Sequence, residues 1–318
     1  MRTRDPKELV ELAVAGDRGA LARLISLVEQ GGEPAREVGR LTYPLGGRTY
    51  TVGITGAPGA GKSTLTNRLI AVARAAGTEA GVLAIDPSSP FTGGAILGDR
   101  VRMQDHATDS GVFIRSMATR GHLGGLSLAT HEAIRVLDAA GLPLVLVETV
   151  GVGQVEVEIA GAADTTVVVV NPGWGDAVQA NKAGLMEIAD LFVINKADRP
   201  GASDTERDLN HMLDMNMHMG EWRPPIVKTV ASAGEGAGEG IAELWAAVGE
   251  HRRFLDGSGE LERRRERRLT DELREIVLHR LEQRTREVTG GERFEELRAD
   301  VLARRIDPYT AADRLLDI

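Results

Sequence analysis

Short apolar runs alternate with helical patterns along the middle of the chain, from about Tyr43 to Asp256. The clearest runs lie at 49–55, 81–86, 142–148, 165–171, 191–195 and 225–230. Between them, apolar residues recur three and four positions apart, which is the spacing of an amphipathic helix. Strands that are buried on both faces read as continuous apolar runs. The pattern therefore predicts an α/β fold with a mostly parallel sheet that helices cover on both faces.

The two ends of the chain carry helical patterns without strands. Near the N-terminus, two short helices are predicted on either side of Gly16-Asp17, a break followed by an N-cap, and this unit ends at Gly31–Pro34. Past Gly257 the composition shifts toward Arg, Glu and Leu, and a long helix is predicted from an apolar stripe at Leu269, Leu273, Ile276 and Leu281. The expected parts are an N-terminal helical extension at 1–42, the α/β domain at 43–256 and a C-terminal helical arm at 257–318.

The basic run from Arg263 to Arg268 raises the question of nucleic-acid binding. Acidic residues are interleaved with it and follow it, at Glu262, Glu266, Glu272 and Glu275. Opposite charges four positions apart on a helix pair with each other in solvent. We therefore interpret the run as a solvated helix face.

Composition narrows the possible functions. The net charge is −9 and aromatic residues make up only 3% of the chain, which disfavours binding to a phosphate backbone or to unstacked bases. Cysteine is absent, which excludes disulfides, thiolate catalysis and zinc sites with cysteine ligands. The N-terminus shows no secretory signal, and the longest apolar runs, such as 142–147, are too short to cross a bilayer. We expect a cytoplasmic protein that binds neither nucleic acid nor a membrane.

The phosphate-loop pattern G-x-x-x-x-G-K-[ST] is matched in full by Gly56-Ala57-Pro58-Gly59-Ala60-Gly61-Lys62-Ser63. An apolar strand precedes this loop and a helical pattern follows it, which is the context that the motif requires. Its glycines let backbone N–H groups turn toward a phosphate, and the helix N-terminus adds its positive dipole end. In this motif the lysine reaches the β- and γ-phosphates and the hydroxyl ligates Mg²⁺. The chain is therefore expected to bind a nucleoside triphosphate.

A guanine-reading motif follows the strand predicted at 191–195. Asn195-Lys196-Ala197-Asp198 fits N-K-x-D, at the end of the sheet where open α/β folds bind ligands. A carboxylate there can accept from both the ring N–H and the exocyclic amine of guanine, a donor pair that adenine lacks. The predicted nucleotide is therefore GTP, with GDP as the product.

Three carboxylates are candidates for a Mg²⁺ site. Glu148 ends the strand at 142–148 and precedes Gly151, in the place where P-loop proteins hold the metal and meet the γ-phosphate. Aspartate is the more common residue there. Asp86 and Asp99 lie in segments rich in serine and glycine and could supply further oxygen ligands. Alternatively, Asp86 belongs to a turn at a strand end and Asp99 is a helix N-cap.

The order and spacing of these motifs resemble the MeaB/ArgK family of P-loop GTPases over essentially the whole chain. Besides Asn195–Asp198, the resemblance is carried by Ile85–Pro90, Thr92–Asp99, Glu148–Gln154 and Asp307–Ala312. The segments around Asp86 and Asp99 are far more specific than the phosphate loop. Glutamate in place of aspartate at position 148 is what this family has.

The resemblance implies a P-loop domain of the nitrogenase/signal-recognition type and a C-terminal arm that forms a homodimer. It also implies a GTP-dependent chaperone that gates loading or protection of the cofactor of an adenosylcobalamin-dependent acyl-CoA mutase, typically methylmalonyl-CoA mutase. The human methylmalonic aciduria type A protein is similar. We expect no cobalamin to bind this chain directly. Lys182 matches a lysine on a loop that responds to the partner in that family.

The expected site combines the motifs and the resemblance. The candidate catalytic residues are Lys62, Asp86, Glu148 and Lys182, and the candidate metal ligands are Ser63, Asp86, Asp99 and Glu148. The candidate nucleotide contacts are Gly56, Ala57, Pro58, Gly59, Ala60, Gly61, Lys62, Ser63, Thr64, Gly151, Asn195, Lys196, Asp198, Ser232 and Ala233.

Two other functions compete with the mutase chaperone. A metallochaperone-type GTPase for another metalloenzyme normally needs clusters of Cys and His ligands, and this chain has no cysteine. A transport-associated kinase, an older label in the family, would need an acceptor pocket and has no use for a guanine-reading Asp198. We therefore prefer the chaperone function, although the sequence does not name the mutase.

Overall fold

The structure is a computed structural model that describes most of the 318-residue chain. The described residues are 4–87, 106, 108–119, 127–149, 155–173, 179–215, 221–232, 236 and 238–316. At 86, 87, 119, 127, 155–158 and 179–183 the description covers the backbone alone. The candidate residues Asp99, Gly151 and Ala233 lie outside the described residues.

Strands and helices alternate through the middle of the chain, as the apolar runs predict. The strands are β1 (Tyr50–Gly56), β2 (Ala80–Pro87), β3 (Val112–Thr119), β4 (Leu144–Thr149), β5 (Thr165–Val170), β6 (Leu191–Asn195) and β7 (Ile226–Thr229). The helices among them are α4 (Lys62–Ala75), α5 (Ser127–Ala139), α6 (Val155–Ala162), α7 (Gln179–Ile188), α8 (Ala202–Met215) and α9 (Ile241–Ser258). The ends of the chain add α1 (Pro6–Val14), α2 (Arg18–Gln30), α3 (Gly32–Thr42), α10 (Glu260–Thr289), α11 (Glu292–Leu302) and α12 (Pro308–Leu316).

The seven strands form one sheet in the order β3-β2-β4-β1-β5-β6-β7, and every neighbouring pair is parallel. The predicted α/β fold of the P-loop type is confirmed. β1 lies between β4 and β5, with Ile54 level with Glu148 and Gly56 level with Val169. All strands point the same way, so the C-terminal ends of β1, β4 and β6 lie at one edge of the sheet, where such folds bind ligands.

Apolar side chains cover both faces of the sheet. On one face β1, β4, β5 and β6 pack against α4 and α9 through residues such as Leu65, Leu69 and Leu244. On the other face the strands pack against α5–α8 and the N-terminal helices, in two clusters. Burial on both faces explains why these strands read as continuous apolar runs rather than as alternating patterns.

The edge strand β3 is missing from the predicted runs. Its apolar sequence is interrupted by Arg115, whose guanidinium donates to Glu29 of α2 at 2.7 Å and to Ser26 at 3.0 Å. Arg18 of the same helix donates to the backbone oxygens of Ser110 and Val112 at 2.7 and 2.5 Å. Charged side chains thus join the edge of the sheet to α2, a contact that hydrophobic periodicity does not register.

The N-terminal extension contains three helices rather than two. The prediction ended the unit at Gly31–Pro34, whereas α3 begins at Gly32 and carries Pro34 in its first turn. Proline is tolerated there because the first N–H groups of a helix have no partner within it. The inward faces of α1 and α2 bury apolar residues such as Leu9, Leu24 and Ile25 in the same cluster as β2, β3 and α5.

The chain divides into two compact units, one ending at Arg268 and the other beginning at Leu269. The first contains the sheet, α1–α9 and the start of α10. The second contains the remainder of α10 with α11 and α12. Among the described helices, none is long and apolar enough to span a membrane.

The start of α10 corrects the interpretation of the arginine run. Arg264 makes two hydrogen bonds to the Asp190 carboxylate, at 2.9 and 3.0 Å, and Arg265 makes two to Asp164, at 2.9 and 3.3 Å. Arg268 also donates to Asp164, at 3.2 Å. Both carboxylates are buried, so these three arginines do not form a solvated face. Arg263 and Arg267, four positions apart on the helix, are exposed as predicted, and both pair with Glu260.

The buried carboxylates hold the beginnings of two strands. Asp164 accepts from the backbone N–H of Thr51 at 3.0 Å, and Asp190 accepts from that of Thr166 at 2.8 Å. Burial opposes the charge on Asp190, but the neighbouring His251 ring and the hydrogen bonds from Arg264 outweigh it and hold the pKa of this carboxyl below its usual value. The network lies at the N-terminal edge of the sheet, opposite the phosphate loop.

Candidate functional site

The loop between β1 and α4 depends on two glycines for its shape. Gly56 has a φ of +133° and Gly61 a φ of +90°, both in the region that favours glycine. A Cβ at Gly56 would lie 2.0 Å from the carbonyl oxygen of Val169, and one at Gly61 would lie 2.4 Å from Nδ2 of Asn195. The first and last glycines of the motif are therefore required by close contacts with β5 and β6.

The N-K-x-D segment contacts the backbone of the phosphate loop directly. Nδ2 of Asn195 donates to the carbonyl oxygen of Ala60 at 2.8 Å, and Nζ of Lys196 donates to that of Gly59 at 2.6 Å. On its other side, Oδ1 of Asn195 accepts from the backbone N–H of Ala231 at 3.2 Å and from the hydroxyl of Thr229 at 3.1 Å. Asn195 therefore joins the loops that follow β1, β6 and β7.

Lys62 lies folded across its own loop. The side chain is buried, and its ammonium group donates to the carbonyl oxygens of Gly56 at 2.7 Å and Ala57 at 3.0 Å. The positive charge is thus already held inside the loop, close to the backbone groups that would surround a phosphate. An incoming anion can draw the ammonium group from these neutral acceptors because a charged acceptor makes the stronger hydrogen bond.

Ser63 and Glu148, both candidate metal ligands, are in direct contact with each other. The Ser63 hydroxyl donates to Oε1 of Glu148 at 2.5 Å, and both side chains are buried. The register of the sheet brings the two residues together. Ile54 of β1 is level with Glu148 of β4, and β1 leads through the loop into α4, where Ser63 lies. The pair offers only oxygen ligands, from a neutral hydroxyl and from an anionic carboxylate. Mg²⁺ prefers such ligands and takes few of them from the protein when phosphate oxygens supply the rest, so the donor set fits this metal.

Of the other predicted site residues, some are described with their side chains and some by their backbone alone. The backbone of Asp86 lies near the end of β2, whose residue Ile85 is level with Thr149 of β4, so Asp86 is at the same edge of the sheet as Glu148. Asp198 and Ser232 are exposed beyond the ends of β6 and β7. The remaining two lie in helices: Thr64, half-buried in the first turn of α4, and Lys182, described by its backbone alone, in α7.

Two residues at this edge are missing from the sequence-based site. Thr229 ends β7 and donates to Asn195, as above, and Asn171 follows β5, with its Nδ2 3.5 Å from the carbonyl oxygen of Gly59. Each is a polar residue that closes an apolar run at the C-terminal edge. Glu148 became a candidate by this signal, so the sequence contained the same signal for Thr229 and Asn171.

The chain is similar to known proteins along most of its length. The model of one protein family, described as Methylmalonyl Co-A mutase-associated GTPase MeaB, matches residues 21–290. A Pyrococcus abyssi protein, named provisionally as a GTPase, is 55% identical over 312 residues, which cover 97% of this chain and 95% of that protein. The mouse protein named Methylmalonic aciduria type A homolog, mitochondrial, is 33% identical over 328 residues, which cover 95% of this chain and 77% of that protein.

A solved structure shares the fold along its whole length. The crystal structure of a protein described as an LAO/AO transport system kinase superposes with a TM-score of 0.70 at 27% sequence identity. The superposition covers 100% of this chain and 98% of that one. The parallel sheet, the phosphate loop and the helices at both ends therefore belong to an architecture found in a solved protein.

Proposed function

The chain belongs to the MeaB family of methylmalonyl-CoA mutase-associated GTPases, and on this basis we propose that it is a GTP-dependent chaperone of an adenosylcobalamin-dependent acyl-CoA mutase. The observation that supports the proposal is the match of residues 21–290 to a family named for its association with that mutase. The bound nucleotide would gate loading or protection of the mutase's cofactor. Methylmalonyl-CoA mutase is the partner that the family name favours.

Hydrolysis is assigned to the edge of the sheet where the described motifs meet. Water attacks the γ-phosphate in line with the leaving oxygen of GDP, and the reaction needs positioning and positive charge more than covalent chemistry. Lys62 exchanges the carbonyl oxygens of Gly56 and Ala57 for the β- and γ-phosphate oxygens. Ser63 and Glu148 would hold Mg²⁺, which supplies further positive charge against the same oxygens. Asp86 and Asp99 are proposed to complete the metal shell.

Asp198 is proposed to read the guanine base. Asp198→Asn is expected to weaken GDP binding by about tenfold or more and to favour xanthosine diphosphate, because one of the two acceptors that meet the guanine donors becomes a donor. Calorimetry with GDP, ADP and xanthosine diphosphate measures the change. Asp204→Asn, a matched change at an exposed carboxylate of α8, should leave all three affinities unaltered. Equal affinities of the unaltered protein for GDP and ADP would refute the assignment of the base.

The mutase is expected to accelerate hydrolysis by at least about tenfold, since a charge that a partner supplies or orders can be worth about 10³–10⁵ in rate. Lys182 is the residue we propose to respond to the partner. Lys182→Ala should therefore keep the basal rate and remove most of the stimulation. Phosphate release with and without purified methylmalonyl-CoA mutase tests both points.

Lys228→Ala provides the control, because Lys228 is an exposed lysine that pairs with Glu206 on the surface. It should retain full stimulation. Stimulation that persists in Lys182→Ala would remove this residue from the mechanism. If no adenosylcobalamin-dependent acyl-CoA mutase stimulates the unaltered protein, the chaperone function is wrong, whereas the GTPase activity would stand.

We also propose that the chain forms a homodimer through the second unit. The part of α10 in this unit exposes an apolar stripe, with Leu273 62% exposed and Leu281 56% exposed. Leu269, Val277 and Leu278 are exposed along the same helix. Contiguous apolar surface of this kind is unusual on a monomeric protein and marks an interface.

The double substitution Leu273→Lys/Leu281→Lys is expected to yield a monomer that still binds GDP. Two lysines would have to lose their hydration to enter an apolar interface. Light scattering measures the molar mass, and calorimetry measures GDP binding. Leu302→Lys, at an exposed leucine of α11, should leave the dimer intact. A dimer that survives the double substitution would place the interface elsewhere.

A further inference from the structure

Asn171 occupies a position between the phosphate loop and the guanine-reading segment. It follows β5, whose residue Val169 is level with Gly56 of β1 and whose residue Val170 is level with Ile194 of β6. By this register Asn171 is level with Asn195. A side chain there lies at the C-terminal edge of the sheet, on the strand that separates β1 from β6.

The carboxamide of Asn171 shares an acceptor with Lys196. The carbonyl oxygen of Gly59 accepts from Nζ of Lys196 at 2.6 Å, and Nδ2 of Asn171 approaches the same oxygen to 3.5 Å. A carbonyl oxygen has two lone pairs and can serve both donors. The two side chains therefore converge on one atom of the phosphate loop, and the lysine ammonium group has two more N–H donors to offer.

The other end of the same carboxamide is enclosed. Oδ1 of Asn171 is shielded from solvent and has no hydrogen-bond partner among the described residues. Shielded acceptors are normally paired in folded proteins, and those that are not call for a functional explanation. The ammonium group of Lys196 is a donor in the same neighbourhood, because it contacts the carbonyl oxygen that Asn171 approaches.

Lys196 needs such a restraint for a second reason. Its backbone has a φ of +60°, which an L-residue with a long side chain adopts at a cost. This conformation persists only where surrounding contacts fix it. Its ammonium contact with Gly59 is one such restraint, and a hydrogen bond to Asn171 would be another.

We propose that Asn171 is a positioning residue for guanine nucleotides. Its Nδ2 donates to the carbonyl oxygen of Gly59. When a guanine nucleotide binds, its Oδ1, which has no partner among the described residues, accepts from the ammonium group of Lys196. In this arrangement the phosphate loop and the guanine-reading segment are held at a fixed separation, so that a nucleotide can contact both at once. The effect falls on nucleotide affinity rather than on the chemical step, because Asn171 acts through Lys196 and the loop backbone.

Asn171→Leu tests the inference in the full-length chain, because leucine keeps the approximate volume and removes both the donor and the acceptor. The Kd for GDP and the KM for GTP are expected to rise by about tenfold, as for the loss of a hydrogen bond to a charged group. The kcat should stay within about twofold, since uniform binding is lost rather than transition-state binding. The thermal midpoint should not fall, which separates positioning from a structural role.

A double-mutant cycle with Lys196→Ala tests the pairing itself. Lys196→Ala alone weakens GDP binding, and adding Asn171→Leu should then cost less than about twofold, because the partner of Asn171 has already gone. Asn210→Leu is the matched control, since its Nδ2 donates to a backbone oxygen in α8, and it should not change GDP binding. Additive losses in the double variant, or an unchanged Kd in Asn171→Leu, would overturn the proposal.

Discussion

Replacement of Lys62 by alanine is expected to lower kcat for GTP hydrolysis by about two to three orders of magnitude, the effect of removing one preorganised donor from a transition state. The ammonium group is buried and held by two carbonyl oxygens of its own loop, at 2.7 and 3.0 Å. Negative charge on the oxygens around the bond that breaks grows or shifts as GDP leaves. The protein needs little rearrangement to meet that charge, because the ammonium group is already inside the loop.

Phosphate release under single-turnover conditions measures the chemical step, and calorimetry measures GDP affinity separately. GDP affinity is expected to fall less than kcat, since an interaction that strengthens in the transition state acts mainly on the rate. The kcat of Lys62→Arg should also be lower than that of the unaltered protein, because a planar guanidinium cannot replace a compact ammonium group in so confined a loop. Lys228→Ala should be unaffected. A kcat for Lys62→Ala within about threefold of the unaltered protein would show that Lys62 is not catalytic.

The sheet and the phosphate loop were predictable because their signals are local. Six apolar runs matched strands within a few residues, since a strand covered on both faces must be apolar throughout. The phosphate loop is recognisable from eight consecutive residues. Its contacts with β5 and β6 explain the glycines at 56 and 61, because a Cβ there would lie 2.0 and 2.4 Å from atoms of those strands. The contact of Ser63 with Glu148 is consistent with the motifs, because Ser63 begins the helix that follows β1 and Glu148 lies near the end of the neighbouring strand β4.

The missed strand β3 and the misinterpreted arginine run share a different cause, which is charge that tertiary structure buries. Arg115 interrupts β3, and Arg264 and Arg265 occupy a run that reads as a solvated helix face. In each case a carboxylate distant in sequence pairs with the arginine and makes its burial tolerable. Periodicity along one helix or strand contains no information on such a partner. Asn171 differs from these cases, because its position after an apolar run was visible in the sequence, whereas its contact with Gly59, 112 positions away, was not.

Removal of the Asp164 carboxylate is expected to lower the free energy of unfolding by about 3–5 kcal/mol, the cost of breaking a buried ion pair by deleting one partner. Asp164 is 1% exposed and receives hydrogen bonds from Arg265, Arg268 and the backbone N–H of Thr51. In Asp164→Ala these three donors lose their shared acceptor, and two of them keep a positive charge in a partly buried position. β1, which begins beside this carboxylate, carries the phosphate loop at its other end.

Urea denaturation at neutral pH, followed by circular dichroism, measures how far the substitution lowers the urea midpoint of unfolding. Arg267→Ala is the control, because Arg267 lies on the same helix but is 67% exposed, and surface ion pairs contribute only about 0–1 kcal/mol. The midpoint of Asp164→Asn should lie between those of the two variants. An amide oxygen can still accept from Thr51 but does not balance the charge of two arginines. A midpoint for Asp164→Ala no lower than that of Arg267→Ala would mean that the arginines find water or other acceptors. The network would then have little part in holding β1 to the sheet.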